Sequence, residues 1–188
     1  MRYVRTWTGG CARALGVACA TVAVLAGCSG GQPASSTAAT SPGAAQAAPA
    51  VTMPEQLRFT ARTLDGKHFS GQSLAGKAAV LWFWAPWCPK CQREAPAVAR
   101  AAQANTGKVT FVGVAAQDQL AAMQGFVTKY HVDSFQHLAD LDAAIWRRFT
   151  VTSQPAYAFI SPNGSLELVK DQLSETELAD HLRRLTAS

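Results

Sequence analysis

Two short runs of consecutive apolar residues stand out in the pattern of this chain. They cover residues 80–84 and 109–115, and neither alternates between apolar and polar positions. A strand that is covered on both faces has this uninterrupted pattern, whereas a strand with one wet face alternates. We therefore predict two central, buried strands.

The segments around these runs predict helices and a hairpin. Apolar residues recur at helical spacing over residues 117–130, so the order is strand, helix, strand, helix, which favours parallel pairing. The other predicted elements are a half-exposed strand (57–63), helical turns (73–77 and 143–149), a hairpin of strands 156–160 and 166–169, and a last helix from the Ser174/Glu177 capping box to about Leu185. The predicted fold class is α/β, a mixed central sheet flanked by helices, with an N-terminal strand extension.

A pair of cysteines follows the first apolar run. Cys88-Pro89 is typical of a helix start, because proline is tolerated in the first turn, and this helix is expected to run to about Asn105. Cys91 comes one turn later, so its side chain lies beside Cys88 but deeper in the structure. The two sulfurs can close a small ring, which predicts a redox site.

The first 28 residues are typical of an export signal. Three arginines precede an apolar segment at residues 14–26 that is too short to span a bilayer. Residues 25–28, Leu-Ala-Gly-Cys, resemble the lipobox of bacterial lipoproteins, which implies that Cys28 carries a lipid and anchors the protein to the membrane. Ordinary signal cleavage nearby and an uncleaved anchor are the alternatives.

The remainder of the chain divides into a linker and a domain. Residues 29–54 are rich in Gly, Ala, Ser, Thr and Pro and contain no charged residue, as expected of a flexible tether. Residues 55–188 have the usual size of one domain.

This division decides the meaning of the five cysteines and of the net charge. Cys11 and Cys19 leave with the signal and Cys28 takes the lipid, so Cys88 and Cys91 alone remain in the domain. One pair does not make a disulfide-stapled scaffold. Without residues 1–28 the formal charge of +5 falls to +2, and the bases are scattered, so no nucleic-acid partner is predicted.

Several motifs together resemble a known family. Residues 84–91, W-A-P-W-C-P-K-C, Pro96 five residues later, and Gln154-Pro155 before a strand resemble the thioredoxin superfamily. Three further motifs resemble the TlpA/ResA/DsbE group of membrane-anchored thiol-disulfide oxidoreductases, and they lie at residues 64–66, 74–77 and 94–96. With the lipobox in front, the chain resembles actinobacterial lipoproteins of the DsbE/DsbF type. The resemblance covers about residues 55–188 and implies a thioredoxin fold with no cofactor besides its redox-active disulfide.

The positions of Cys88 and Cys91 predict that one is the nucleophilic thiol and the other the resolving thiol. Thiolates attack disulfides, and the helix start at Cys88-Pro89 together with the cation of Lys90 favours the Cys88 anion, so its pKa is expected to lie below that of a free cysteine. Cys91 is then the thiol that closes the ring and releases the mixed disulfide.

Glu94 is the predicted proton-transfer residue. It follows Cys91 by three residues and shares its helical face, and the resemblance implies a part in thiol proton transfer. Cytosolic thioredoxins keep a buried acid six residues before the first cysteine, where this chain has Trp82. The alternative for Glu94 is a solvated acid at the helix start.

The resemblance also implies a substrate-binding surface. It predicts a cis bond before Pro155, although X-Pro bonds in general are mostly trans. The Gln154 backbone would then face Cys88 and bind an extended substrate by strand addition. Trp87, beside Cys88, is expected to offer an apolar contact.

Stabilising the Cys88 thiolate stabilises the reduced enzyme, which favours an oxidase that promotes disulfide formation in exported proteins. The alternatives are a reductase of exported cysteines, of the apocytochrome c maturation type, and a copper carrier using His131 and His137 with the dithiol. A structural zinc site lacks ligands, and a peroxidase would need Thr or Ser at position 85, where this chain has Ala85.

The expected partners are reduced exported proteins and a membrane redox protein that recycles the dithiol.

Overall fold

The computed structural model describes residues 53–187. Its main sheet has five strands, which are β3 (Ala79–Trp84), β4 (Thr110–Ala115), β5 (Gln136–Ala139), β6 (Ala156–Ile160) and β7 (Leu166–Val169). Their order in the sheet is β5-β4-β3-β6-β7. The first three run parallel, and β6 and β7 follow as antiparallel neighbours, so the predicted mixed sheet is confirmed.

Four helices and two short turns cover this sheet. The helices are α1 (Pro89–Ala104), α2 (Leu120–Tyr130), α3 (Ala144–Arg148) and α4 (Glu175–Thr186), and the 3-10 turns are Glu55–Leu57 and Gly71–Leu74. The capping box predicted from Ser174 and Glu177 is present at the start of α4. Among residues 53–187, no helix is long and apolar enough to cross a membrane.

Strand β3 divides the core into two layers because every one of its six residues is buried. Val80, Trp82 and Trp84 face the layer formed with α1, α2 and α4. Leu81 and Phe83 face the layer formed with α3 and the two 3-10 turns. A strand buried on both faces needs apolar side chains at odd and even positions alike, which is why its sequence does not alternate.

The N-terminal extension is shorter than the sequence pattern predicted. Strand β1 (Thr60–Arg62) pairs with β2 (His68–Ser70) as a separate two-stranded sheet, and residues 55–57 form a 3-10 turn instead of a strand. The prediction of a strand beginning at residue 57 was wrong because Leu57 is wholly buried in the second core layer. Its apolar character reflects that packing and not the alternation of a strand.

The edge strand β5 was not predicted, because it is four residues long and contains Gln136 and His137. His137 is 5% exposed, yet both ring nitrogens have partners. The Trp84 indole donates to Nδ1 over 3.2 Å, and Nε2 donates to the Val132 carbonyl over 2.7 Å. Burial lowers the pKa of His137 to about 4, so this polar residue is neutral in the core at neutral pH.

Gly113 makes room for His137. It lies in β4, directly between Trp82 of β3 and His137 of β5 in the strand register. A Cβ atom at Gly113 would overlap the imidazole ring. We expect Gly113→Ala to lower the free energy of unfolding by about 2 kcal/mol or more, because the ring must move and break its hydrogen bond with Trp84.

Chemical denaturation of the oxidised protein measures this loss. Gly125→Ala is the matched control, because Gly125 lies in α2 and its Cβ would meet nothing within 4 Å. That substitution should stabilise the protein by about 0.5–1 kcal/mol through helix propensity. Equal effects of the two substitutions would contradict the packing role of Gly113.

Candidate active site

The two cysteines lie at the N-terminus of α1 and are joined by a disulfide bond with a Cα–Cα distance of 5.3 Å. Cys88 is the N-cap residue, Pro89 is the first helical residue, and Cys91 lies in the first turn. The Cys91 backbone N–H is directed at Cys88 Sγ, with the nitrogen 3.1 Å from the sulfur. The first sulfur therefore takes the place of the side-chain oxygen that usually caps a helix.

Only one of the two sulfurs is near the surface. Cys88 is 3% exposed and Cys91 has no exposed surface. Cys88 is therefore the cysteine nearer the surface, and Cys91 lies deeper, as its position in the first turn of α1 predicts.

A cis-proline loop faces the disulfide. The Gln154–Pro155 peptide bond is cis, as the resemblance implied. Strand β6 begins immediately afterwards and runs antiparallel to β3, so its N-terminal end meets the end of β3 from which the cysteines emerge. The Gln154 carbonyl oxygen consequently lies 3.9 Å from Cys88 Sγ.

Trp87 forms an exposed apolar surface next to Cys88. Its side chain is 51% exposed, which is unusual for tryptophan in a folded domain. The indole N–H is nevertheless anchored, because it donates to the Gln117 carbonyl over 3.0 Å. This bond fixes the ring against the loop after β4 and leaves its apolar face open to solvent.

Lys90 is paired with a carboxylate. Its ammonium nitrogen lies 3.2 Å from Asp171 Oδ1, and both side chains are more than half exposed. The Gln172 backbone N–H and Lys90 hold the pKa of Asp171 below its usual value. An exposed pair of this kind is screened by solvent, and the cation of Lys90 is shared with Asp171.

Glu94 is a buried acid, which excludes a solvated position at the helix start. The residue is 4% exposed, and the Trp82 indole N–H donates to its Oε1 over 2.7 Å. Burial raises the pKa of Glu94 to about 7, and the negative charge of Asp171 acts in the same direction, although the bond from Trp82 opposes it. A carboxyl whose pKa lies near neutral pH can both donate and accept a proton.

Sequence reasoning placed Trp82 in the core and did not foresee that its indole binds Glu94. It also gave no role to Tyr157, which is wholly buried in β6. Burial, and after it the charge of Glu94, raise the pKa of Tyr157 well above its ordinary value. The available signal was the phenol itself, because a hydroxyl in an otherwise apolar buried strand usually has a polar partner.

The copper alternative finds no support at its two histidines. Both ring nitrogens of His137 are occupied by Trp84 and Val132, as described above. His131 is the C-cap residue of α2, outside the buried disulfide site. Within residues 53–187, no three His, Cys, Asp or Glu side chains are grouped so that they could hold a metal ion.

A mixed five-stranded sheet, a Cys-x-x-Cys disulfide at a helix N-terminus and a cis-proline facing it define a thiol:disulfide oxidoreductase of the thioredoxin fold. The model of the AhpC/TSA family matches residues 44–169. The chain belongs to this family.

Two known proteins are similar to this chain in sequence. The soluble secreted antigen MPT53 of Mycobacterium tuberculosis is 46% identical over 141 residues, which are 73% of this chain and 80% of that protein. The thiol-disulfide oxidoreductase ResA of Bacillus subtilis is 26% identical over 126 residues, 66% of this chain and 70% of ResA.

A solved structure of MTB DsbF, in mixed oxidised and reduced forms, is similar to the present structure. It has a TM-score of 0.70 and 55% identity over 72% of this chain and all of that chain. A secreted M. tuberculosis disulfide oxidoreductase homologous to E. coli DsbE has a TM-score of 0.67 and 46% identity, over 70% of this chain and 98% of that one.

The burial of Glu94 makes the stability of the oxidised protein depend on pH. Its folded pKa of about 7 lies above the ordinary 4.5. For a carboxyl raised in this way, stability is fully present below the unfolded pKa and is lost as pH rises through the folded pKa. Between pH 4 and pH 8 the Glu94→Gln variant should therefore gain about 3 kcal/mol in unfolding free energy relative to the parent protein.

Urea titrations of both oxidised proteins at several pH values measure this difference. Glu175→Gln is the control, because Glu175 is an exposed acid of α4 paired with Arg100. Its difference from the parent protein should stay within about 0.5 kcal/mol over the same range. A Glu94→Gln difference that does not change with pH would show that Glu94 titrates normally.

Proposed function

We propose that the protein is an exported oxidase that introduces disulfide bonds into other exported proteins through Cys88 and Cys91. The supporting observation is the position of Cys88 as the N-cap of α1, with the Cys91 N–H 3.1 Å from its sulfur. In the reduced protein this donor and the positive end of the helix dipole favour a Cys88 thiolate. Stabilising the reduced form makes the oxidised form a stronger oxidant.

In this mechanism a client thiolate attacks Cys88 Sγ, because Cys88 is the less buried of the two cysteines. The Cys88–Cys91 bond breaks and its electron pair passes to Cys91, which takes up a proton. Glu94 is the proposed donor, since it lies on the same helical face and its pKa of about 7 is near neutral pH. A second client thiolate then displaces Cys88, leaving an oxidised client and a reduced enzyme.

The client is proposed to bind across the cis-proline loop. The Gln154 carbonyl, 3.9 Å from Cys88 Sγ, would pair with the backbone of an extended client, with Pro155 holding the loop in place. Trp87 would contact apolar side chains near the client cysteine, because the rigid ring is half exposed and offers a large area at low entropic cost.

The direction of transfer depends on the balance of charge near Cys88. Pro89 starts the helix that favours the thiolate, and Lys90 supplies a cation, but Asp171 partly neutralises that cation. This pairing is the observation that favours the alternative, a reductase of exported cysteines. A membrane redox protein would recycle the dithiol in either case.

Equilibration with glutathione buffers measures the potential directly. We expect a value above about −200 mV, in the range of known oxidases, and oxidative refolding of a reduced client faster than reduction of insulin. Offered a client that already holds a disulfide, Cys91→Ser should trap it as a mixed disulfide, because Cys88 attacks the client disulfide and no resolving thiol remains; Cys88→Ser should trap none. A potential near −270 mV, with insulin reduction the faster reaction, would establish the reductase instead.

The division of the chain is also a proposal, because residues 1–52 lie outside the described part. We propose that residues 1–28 are a lipoprotein signal, that Cys28 is lipidated, and that residues 29–54 tether the domain of residues 55–188 to the outer face of the membrane. The lipobox and the length of the apolar segment support this arrangement.

Fractionation of cells that express the full chain tests the anchor. The parent protein should be found with the membrane, and Cys28→Ala should abolish lipid labelling, because only a cysteine at this position can accept the lipid. Cys19→Ala, which changes a cysteine inside the signal, is the control and should leave labelling unchanged. Labelling that survives Cys28→Ala would show that the lipid is attached elsewhere.

A further inference from the structure

The hydroxyl of Tyr157 is a buried polar group inside the core of the domain. Tyr157 has no exposed surface, and its neighbours in β6 are buried as well. In the part of the chain that the structure describes, two buried side-chain atoms have no hydrogen-bond partner, and they are Tyr157 Oη and Glu94 Oε2. An unpaired buried polar atom destabilises a folded protein, so these two atoms need an explanation.

The strand register explains why these two oxygens are neighbours. Tyr157 of β6 is directly opposite Trp82 of β3, and both side chains belong to the core layer that α1 covers. Glu94 lies in α1, on the helix that covers this core layer. The Trp82 indole binds Oε1, so Oε2 is the carboxyl oxygen left without a partner. Tyr157 lowers the pKa of Glu94 and Glu94 raises the pKa of Tyr157, as expected of neighbouring groups.

We propose that Tyr157 is a positioning residue for Glu94, whose hydroxyl donates to Oε2 when the carboxyl is ionised and accepts from it when the carboxyl is protonated. Trp82 and Tyr157 would then hold one carboxyl oxygen each. A small rotation of the phenol would complete the second bond. The inference rests on the proposed role of Glu94 in proton transfer.

The other groups around Glu94 do not replace this partner. The Leu173 backbone lowers the pKa of Glu94, and the charge of Asp171 raises it, while Asp171 itself is paired with Lys90. Cys91, in the disulfide, cannot titrate. Because the pKa of Tyr157 is raised well above its ordinary value, its hydroxyl keeps its proton throughout the titration of Glu94.

This arrangement suits the proton balance of the exchange reaction. When the disulfide bond breaks, the electron pair goes to Cys91 Sγ, which has no exposed surface from which to take a proton. The proton comes from Glu94, which becomes a carboxylate and is later reprotonated from solvent. The Tyr157 hydroxyl donates to the carboxylate at that moment and limits the cost of a buried charge.

Tyr157→Phe removes this donor and changes little else in shape. Carbon-13 NMR of the side-chain carboxyl, in the oxidised protein with labelled glutamate, follows the titration of Glu94. We expect the midpoint in Tyr157→Phe to move upward by about one pH unit, because the ionised carboxyl loses a charge-assisted hydrogen bond. Tyr130→Phe is the control, since Tyr130 packs on Phe126 in α2, and it should leave the midpoint unchanged.

A midpoint that stays within about 0.2 pH units of the parent value in Tyr157→Phe would overturn the proposal, as would a downward shift. If that variant does not fold, the parent protein provides the test. The Cζ resonance of Tyr157 should move with the same midpoint as the Glu94 carboxyl, and a resonance that is constant from pH 5 to pH 9 would overturn the proposal.

These measurements use the oxidised protein without a client, so they are separate from the test of function. A protein that reduces clients instead of oxidising them would leave the expected NMR shift intact. A kinetic readout then connects the two: the pH midpoint for reduction of the disulfide by a small thiol should move upward in Tyr157→Phe together with the NMR midpoint. A structural role alone would lower stability without moving either midpoint.

Discussion

Complete burial of β3 is the constraint on which the rest of the structure depends. Its six residues have neighbours in both core layers and a strand on each side, so nothing in this segment touches solvent. Burial fixes the register of β3 against β4 and β6, since a slip by one residue would exchange the two faces. The chain leaves this strand at Trp84, and the cysteines therefore emerge at a fixed point.

That fixed point brings together groups from distant parts of the sequence. The N-terminus of α1 directs a backbone N–H at Cys88 Sγ, and the loop before β6 brings the Gln154 carbonyl to within 3.9 Å of the same sulfur. Antiparallel pairing of β6 with β3 is responsible, because it places the start of one strand beside the end of the other. Cys88 Sγ thus lies between the N-terminus of α1 and the backbone of the cis-proline loop at Gln154.

Burial also sets the proton affinity of Glu94. Cys91 and Glu94 lie inside the core, where bulk water is absent and a charge is expensive. The raised pKa of Glu94 follows from this desolvation, and the Trp82 indole limits it by holding one oxygen. Position 82, where cytosolic thioredoxins have an acid, is in this protein a hydrogen-bond donor to an acid on the facing helix. The buried acid of this protein, Glu94, thus lies on a helix and not on the central strand.

The sequence by itself determined the elements with strong local signals. Strands β6 and β7 lie where the sequence predicted them, and the capping box at Ser174 and the helix start after Cys88 are also present. Such signals arise from neighbours along the chain, through apolar runs, caps and proline. Strand β5 was missed because His137 looks polar until Trp84 and Val132 satisfy its two nitrogens from other elements.

Only the tertiary structure decided how the site residues are paired. The sequence places Glu94 one helical turn after Cys91, but it cannot show that the carboxyl is buried against Trp82 or that Tyr157 lies opposite that tryptophan. Nor does it show that Lys90 is paired with Asp171. These contacts join residues up to 81 positions apart. The physical reason is that local sequence determines secondary structure, whereas the environment that sets a proton affinity is assembled by strand register and helix packing.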